Sequence, residues 1–223
     1  MNIIVVTVLL CTFVSLKGMN SELDKETQSK LNTQLFDATK NWREDDANEN
    51  EDLEKRIKKL LKSGAQVDAY NDDNVTPLML AAFDGIPTLA EFLLKKNANY
   101  TLEAGDNTSF QYTAGSTALH FAAAGETKNH YEVVKSLCSK AQTDEYDMTQ
   151  FINVFNSLSE SPLTCAAQCA NSKTVKYLLE NGGGPAAYID WVKWCTMLQI
   201  AQDPHVAEIA QHLIKAQAIN FKV

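Results

Sequence analysis

Thr76-Pro77-Leu78-Met79-Leu80-Ala81-Ala82, followed three residues later by Gly85, specifies a unit of structure by local chemistry alone. A threonine hydroxyl placed just before a helix accepts a hydrogen bond from one of the orphan amides of the first turn. Proline suits that turn because it has no amide hydrogen to leave unpaired. Pro77 therefore opens a short helix, the paired alanines give it a face that a second helix can approach closely, and Gly85 marks the turn. Leu89, Phe92, Leu93 and Leu94 then lie on one stripe of a second helix. The segment reads as a helical hairpin.

The same pattern recurs along the chain. Thr117-Ala118-Leu119-His120-Phe121-Ala122-Ala123 is followed by Gly125, Ser161-Pro162-Leu163-Thr164-Cys165-Ala166-Ala167 keeps the form, and Thr196-Met197-Leu198-Gln199-Ile200-Ala201 is a worn copy. Each has an aliphatic second helix: Val133, Val134 and Leu137; Val175, Leu178 and Leu179; Val206, Ile209, Leu213 and Ile214. Upstream, Leu53, Ile57, Leu60 and Leu61 form a further second helix, closed by Ser63-Gly64-Ala65, where the glycine can take the left-handed conformation that ends a helix. Its partner spans Leu31, Leu35, Phe36 and Ala38, and the acidic stretch after Trp42 lengthens the turn between them.

These segments, with their trailing glycines and Leu-Leu helices, resemble the ankyrin-repeat family. Leu60 to Leu93 is 33 residues, the repeat length of that family, and Leu178 to Leu213 is 35. Leu93 to Leu137 is 44 and Leu137 to Leu178 is 41, so insertions separate the middle repeats. The resemblance implies an all-α ankyrin-repeat solenoid of about four to five helix-turn-helix units with loop insertions. One repeat cannot bury its apolar face alone, so neighbours stack into a continuous core with more polar end units. The expected division is a signal peptide or short anchor at 1–18, a divergent N-terminal capping unit with an acidic linker at 19–70, and repeats with a C-terminal cap at 71–223.

Apolar residues make up 45% of the 223 and charged residues 22%, too apolar a balance for a disordered chain. The formal net charge of -8 is concentrated in Glu44, Asp45, Asp46, Glu49, Glu51, Asp52 and Glu54, a solvated linker or exposed helix start that repels phosphate backbones and anionic lipid. No nucleic-acid partner is expected. Residues 3–14 are apolar except for Thr7, Cys11 and Thr12, and Ser15, Leu16, Lys17 and Gly18 follow. Such a stretch is shorter than the roughly 20 apolar residues of a membrane-spanning helix and suits a secretory signal cleaved near Gly18. The expected location is secreted or periplasmic, with no stable membrane insertion after cleavage. A membrane anchor through residues 3–16 is the alternative. Beyond the leader, Cys138, Cys165, Cys169 and Cys195 allow two bridges in three pairings, or four small buried hydrophobes.

The sequence contains no arrangement that signals catalysis, and no enzyme, cofactor or metal is expected. His120, His130, His205 and His212 belong to no His-Glu-x-x-His pattern, and Cys165 and Cys169 lack a further ligand pair nearby. Gly182-Gly183-Gly184 is followed by Pro185 and Ala186 rather than by the lysine and hydroxyl residue of a phosphate loop. The resemblance implies that His120 ties down neighbouring loop backbone. It also implies a protein partner, met by a monomer at the hairpin tips and the exposed face of the first helices.

That mapping selects Tyr70, Asn71, Asp72 and Asp73 on one tip, Met79, Phe83 and Asp84 on a first helix, and Tyr112, Phe121 and Glu126 around the next unit. The insertion from Thr143 to Asn156 adds Tyr146, Phe151 and Phe155, either as a specificity element or as an extra helical turn packed on the array. Asn74, Asn99 and Asn107 begin glycosylation acceptor tripeptides, of which Asn99 and Asn107 are the better placed. The expected function is an exported ankyrin-repeat protein binding a protein through its concave face and inter-repeat loops. A secreted toxin or host-directed effector acting at a membrane receptor is the alternative.

Overall fold

Residues 25–44, 47–106 and 113–183 are described by a computed structural model of the chain. Among them are nine helices, α1 at 25–40, α2 Ala47–Lys62, α3 Pro77–Phe83, α4 Pro87–Lys95, α5 Ala118–Ala124, α6 Lys128–Thr143, α7 Met148–Ile152, α8 Pro162–Gln168 and α9 Ser172–Glu180. No strand accompanies them among the described residues, apart from one isolated antiparallel bridge between Glu103 and Thr117. The leader, the worn copy at 196–201 and Cys195 lie outside the described residues.

The starts of the short helices follow from their sequences. Thr76 Oγ1 accepts from the Met79 amide at 3.4 Å, and Ser161 Oγ accepts from the Thr164 amide at 3.2 Å, with proline occupying the first helical turn in both. Gly85 ends the first hairpin turn at φ 63°, a conformation that costs glycine little. The first helices α3, α5 and α8 pack side by side, and the second helices α4, α6 and α9 pack behind them, so each hairpin buries its apolar stripe against the next. Leu78, Leu89, Leu93, Leu119, Leu137, Leu163 and Leu178 form the buried row that this stacking creates. Leu35, Phe36, Ala38 and Trp42 of the first unit join the same core, with the Trp42 ring stacked on Phe92 at 5.6 Å.

The two long spacings have separate causes. The connection from α4 to α5, 97–117, is longer than the 63–76 connection from α2 to α3. The second comes from α6, which runs for 16 residues where α4 and α9 have 9, and from the extra helix α7. Nothing between Lys128 and Thr143 breaks a helix, so α6 runs to Thr143; Glu145 then turns the chain at φ 54° and Asp147 starts α7 by accepting from the amides of Thr149 and Gln150. Phe151 is buried in α7 and packs edge to face on Tyr100 at 5.3 Å, whereas Phe155 lies beyond the helix and is exposed. The insertion is therefore an added helical turn at Phe151 and a projecting segment at Phe155. Part of the acidic stretch is likewise helical, since Glu49, Glu51, Asp52 and Glu54 lie in α2.

Candidate protein-binding surface

The connections 63–76 and 144–161, and the described parts of the α4 to α5 connection at 97–106 and 113–117, stand as three fingers at the N-terminal ends of α3, α5 and α8. Fingers one and three share a tip built on an asparagine. Asn71 Oδ1 accepts from the amides of Asp73 and Val75, and Asn156 Oδ1 accepts from those of Leu158 and Glu160, all at 3.0 Å. Asn74 and Ser159 take positive φ, 54° and 59°, at matching places. A side-chain oxygen that holds two alternate amides makes the turn rigid without a strand ladder.

Hydrogen bonds then join the fingers into one edge. Asn74 Nδ2 donates to the Asp106 carbonyl at 2.6 Å, the Gly105 amide to the Asn74 carbonyl at 3.0 Å, and the Tyr70 hydroxyl to the Glu103 carbonyl at 3.0 Å. Fingers two and three meet where the Ser157 amide donates to the Ala114 carbonyl at 2.9 Å. His120 completes that junction from below. Its Nδ1 accepts from the Thr117 amide at 3.1 Å, which leaves the proton on Nε2, and Nε2 donates to the Glu160 carbonyl at 3.0 Å. Burial lowers its pKa from 6.5 to about 4, so the imidazole is neutral. This is the loop-tying role that the resemblance implies for His120.

The opposite ends of the repeats, at the helix-helix turns, are joined in the same way. His130 Nε2 donates to the Phe83 carbonyl at 3.0 Å while its Nδ1 meets Thr127 Oγ1 at 2.6 Å, and Asn171 Nδ2 donates to the Gly125 carbonyl at 2.8 Å. In the first unit Trp42 Nε1 donates to Thr88 Oγ1 at 3.0 Å, and Glu44 accepts from the Thr88 amide and hydroxyl. Both edges of the array are thus held at fixed spacing.

Between finger one and the outward face of α1 lies a groove of about 610 Å³. Tyr70, Asn71, Asp72 and Asp73 form one wall, and Gln28, Asn32, Thr33, Phe36, Asp37 and Lys40 belong to the other. Burial, followed by the charges of Asp68 and Glu103, raises the pKa of the Tyr70 hydroxyl, which keeps it a donor to Glu103.

The residues selected from the sequence that are described separate into four places. Tyr70, Asn71 and Asp73 line the groove. Phe83, Asp84 and Glu126 lie at the far ends of the first helices; Phe83 is half-buried, and Asp84 and Glu126 are exposed. Met79 and Phe121 are 2% and 8% exposed, because their positions on the first helices face neighbouring repeats. They support the surface from beneath and offer no side chain to a partner. Tyr146 stands at the base of finger three, edge to face with Tyr100 at 6.1 Å. Tyr112 and Asn107 lie outside the described residues, and Asn99 is exposed with its Oδ1 accepting from the Thr101 amide and hydroxyl. The polar face of α1 and Leu158 were not selected from the sequence. A bulky apolar residue two after the tip asparagine, where finger one has Asp73, is the signal that marks Leu158.

Cys138 and Cys165 are buried and Cys169 half-buried, and the three form no bridge with one another. Burial pushes the Cys138 and Cys165 thiols up to about 12. Among the described residues no group of three or more His, Cys, Asp or Glu side chains is placed to hold a metal ion, and no helix is long and apolar enough to cross a membrane.

The family model for ankyrin repeats matches three copies, over residues 46–148 and 101–190. The chain is also 30% identical over 127 residues to the phosphocholine transferase AnkX of Legionella pneumophila. That stretch is 56% of this chain and 12% of the transferase, so the chain spans a small part of that relative's length.

Proposed function

Because the chain belongs to the ankyrin-repeat family, whose stacked hairpins serve protein–protein interaction, we propose that it is an exported protein that binds its partner through the concave face and the inter-repeat fingers. The observation that carries this reading is the groove between α1 and finger one. There Tyr70, Asn71, Asp72 and Asp73 stand opposite a polar helix face, on a tip fixed by the paired bonds to Asn71. A partner docking there meets a surface already ordered, which reduces the entropy lost on binding. Recognition needs no cofactor.

The binding face is tested by photo-crosslinking in the native source, with a photoreactive residue placed at Asn71 or, on the outer face of α2, at Lys59. A defined adduct from position 71 and none from position 59 is expected, and the reverse pattern sinks the assignment. Export is tested separately by the intact mass of the protein in cell-associated and extracellular fractions. Loss of roughly the first 18 residues from extracellular protein is expected of a cleaved signal. A full-length chain confined to cells would refute it. The alternative, a toxin or host-directed effector acting at a membrane receptor, draws on the likeness to a stretch of a much larger bacterial enzyme. If the protein itself attacks membranes, it releases dye from liposomes; the binding reading expects none.

A further inference from the structure

The charges of this chain are sorted by surface. The fingers at 63–76, 97–117 and 144–161 carry three, two and four acidic residues and no lysine, arginine or histidine. The second helices α2, α4, α6 and α9 carry eleven of the chain's 20 lysines and arginines beside seven acidic residues, so they are mixed in sign with a net positive balance. The short first helices α3, α5 and α8 carry no aspartate, glutamate, lysine or arginine, and His120 in α5 is neutral.

The large apolar side chains that stand exposed among the described residues fall on the same fingers. Tyr70 is 45% exposed, Tyr146 37%, Phe155 47% and Leu158 65%. Tyr70 belongs to the groove wall, and Phe155 and Leu158 flank the rigid tip at Asn156. Three carboxylates on this edge, Asp72, Glu103 and Asp106, are exposed and enter no ion pair among the described residues. By contrast Asp144 pairs with Lys140, and Glu160 accepts from Asn156 and Gln168.

We infer that the joined fingers, together with the groove wall formed by Tyr70 to Asp73 and not the α1 wall that carries Lys25 and Lys40, are the docking surface for a basic segment of the partner, rich in lysine or arginine and carrying bulky apolar residues. This rests on the reading of the concave face and fingers as the binding surface. An edge with acids and no bases speeds the approach of a cationic chain and opposes an anionic one, whether acidic protein, nucleic acid or lipid headgroup. Charge alone holds weakly at physiological salt, where exposed charges are screened within about 8 Å. Tyr70, Phe155 and Leu158 supply the desolvated contacts that slow departure. A partner whose cations meet Asp72, Glu103 and Asp106 while its apolar side chains cover those three engages both kinds of side chain that the edge exposes. The rigid tips let it bind without reordering the loops.

The test pans a displayed library of random short peptides on the full-length chain, then measures resynthesised winners by calorimetry. The variants are Asp72→Asn with Glu103→Gln and Asp106→Asn, Phe155→Ala with Leu158→Ala, and Tyr70→Ala with Asn71→Ala. Unfolding midpoints of all three variants are recorded, so that a folding defect is not read as lost affinity. The expected winners are net basic with aromatic or aliphatic residues, bind one to one, and weaken about tenfold in each of the first two variants and with rising salt. Neutral or acidic winners that ignore the carboxamide variant but fail in the groove variant overturn the basic partner and leave the binding reading standing. Winners indifferent to all three variants overturn both. Concentration-dependent self-association abolished by the carboxamide variant also overturns the inference, by making the occupant the basic outer helices of a second copy.

Discussion

His120 provides the sharpest test of how the repeats are held together. Its imidazole is 1% exposed, accepts at Nδ1 and donates at Nε2, so a second proton would have to displace the Thr117 amide from Nδ1. Folding lowers its pKa from 6.5 to about 4. A base with a depressed folded-state pKa is protonated first in the unfolded chain, so stability is full above pH 6.5 and falls as pH drops towards 4. A shift of that size corresponds to a total loss of about 3 kcal/mol, of which about 2 kcal/mol falls between pH 7 and pH 5. His120→Gln keeps an amide nitrogen able to reach the Glu160 carbonyl but cannot titrate. The assay is urea unfolding of both proteins at pH 7 and pH 5, followed by helical circular dichroism. The variant is expected to be less stable at pH 7 because the bond at Nδ1 is lost, and to close most of that gap at pH 5. Carboxylates that titrate in the same window act equally on both proteins and cancel in the difference. A gap that is the same at both pH values would refute the claim that His120 is buried neutral.

Gly125 and the thiols give two more expectations. A Cβ at Gly125 would lie 1.9 Å from His130 Cδ2, and that ring is held by Thr127 and the Phe83 carbonyl. Gly125→Ala should therefore cost about 1–3 kcal/mol in urea unfolding. The cost should shrink when His130→Ala is added; simple additivity would show that the ring is not the obstacle. Thiol alkylation of the native protein, read by peptide mapping, should modify Cys169 well before Cys138 and Cys165, whose burial holds them as thiols. Equal rates at the three positions would contradict the packing of α6 and α8.

The elements that local chemistry specifies were legible in the sequence, and those set by distant contacts were not. Thr76-Pro77 and Ser161-Pro162 place helix starts to the residue, because cap and proline act within one turn. Gly85 and Gly64 mark ends for the same reason, both at positive φ. The overrun of α6 to Thr143 was also written locally, as a run without glycine or proline, but counting repeat length turned it into a loop insertion. What joins one repeat to the next escaped detection. The bond from His130 to Phe83 spans 47 residues and that from Trp42 to Thr88 spans 46, and neither side chain belongs to a pattern that names its acceptor. Met79 and Phe121 were misjudged because a short helix between two neighbours has no free face of the kind that periodicity implies for a solvated helix.

That last point determines where recognition can occur. In each of α3, α5 and α8 six of seven residues are buried, so only Phe83, Ala124 and Gln168 remain for contact. Helices this enclosed provide the floor of a concave surface and little of its chemistry. On the proposed reading, variation in what the array binds comes from the fingers and from α1, the first helix that no earlier described repeat covers. The groove lies where those two meet. Substitutions at Asp37 or Asp72 should alter binding at little cost to stability, since both are exposed and line the groove. Substitutions at Leu119 or Leu163, each fully buried, should cost about 2–5 kcal/mol when truncated to alanine and disturb binding only through unfolding. A Leu119→Ala protein that stays as stable as the parent yet loses its partner would place the binding chemistry on the helices after all.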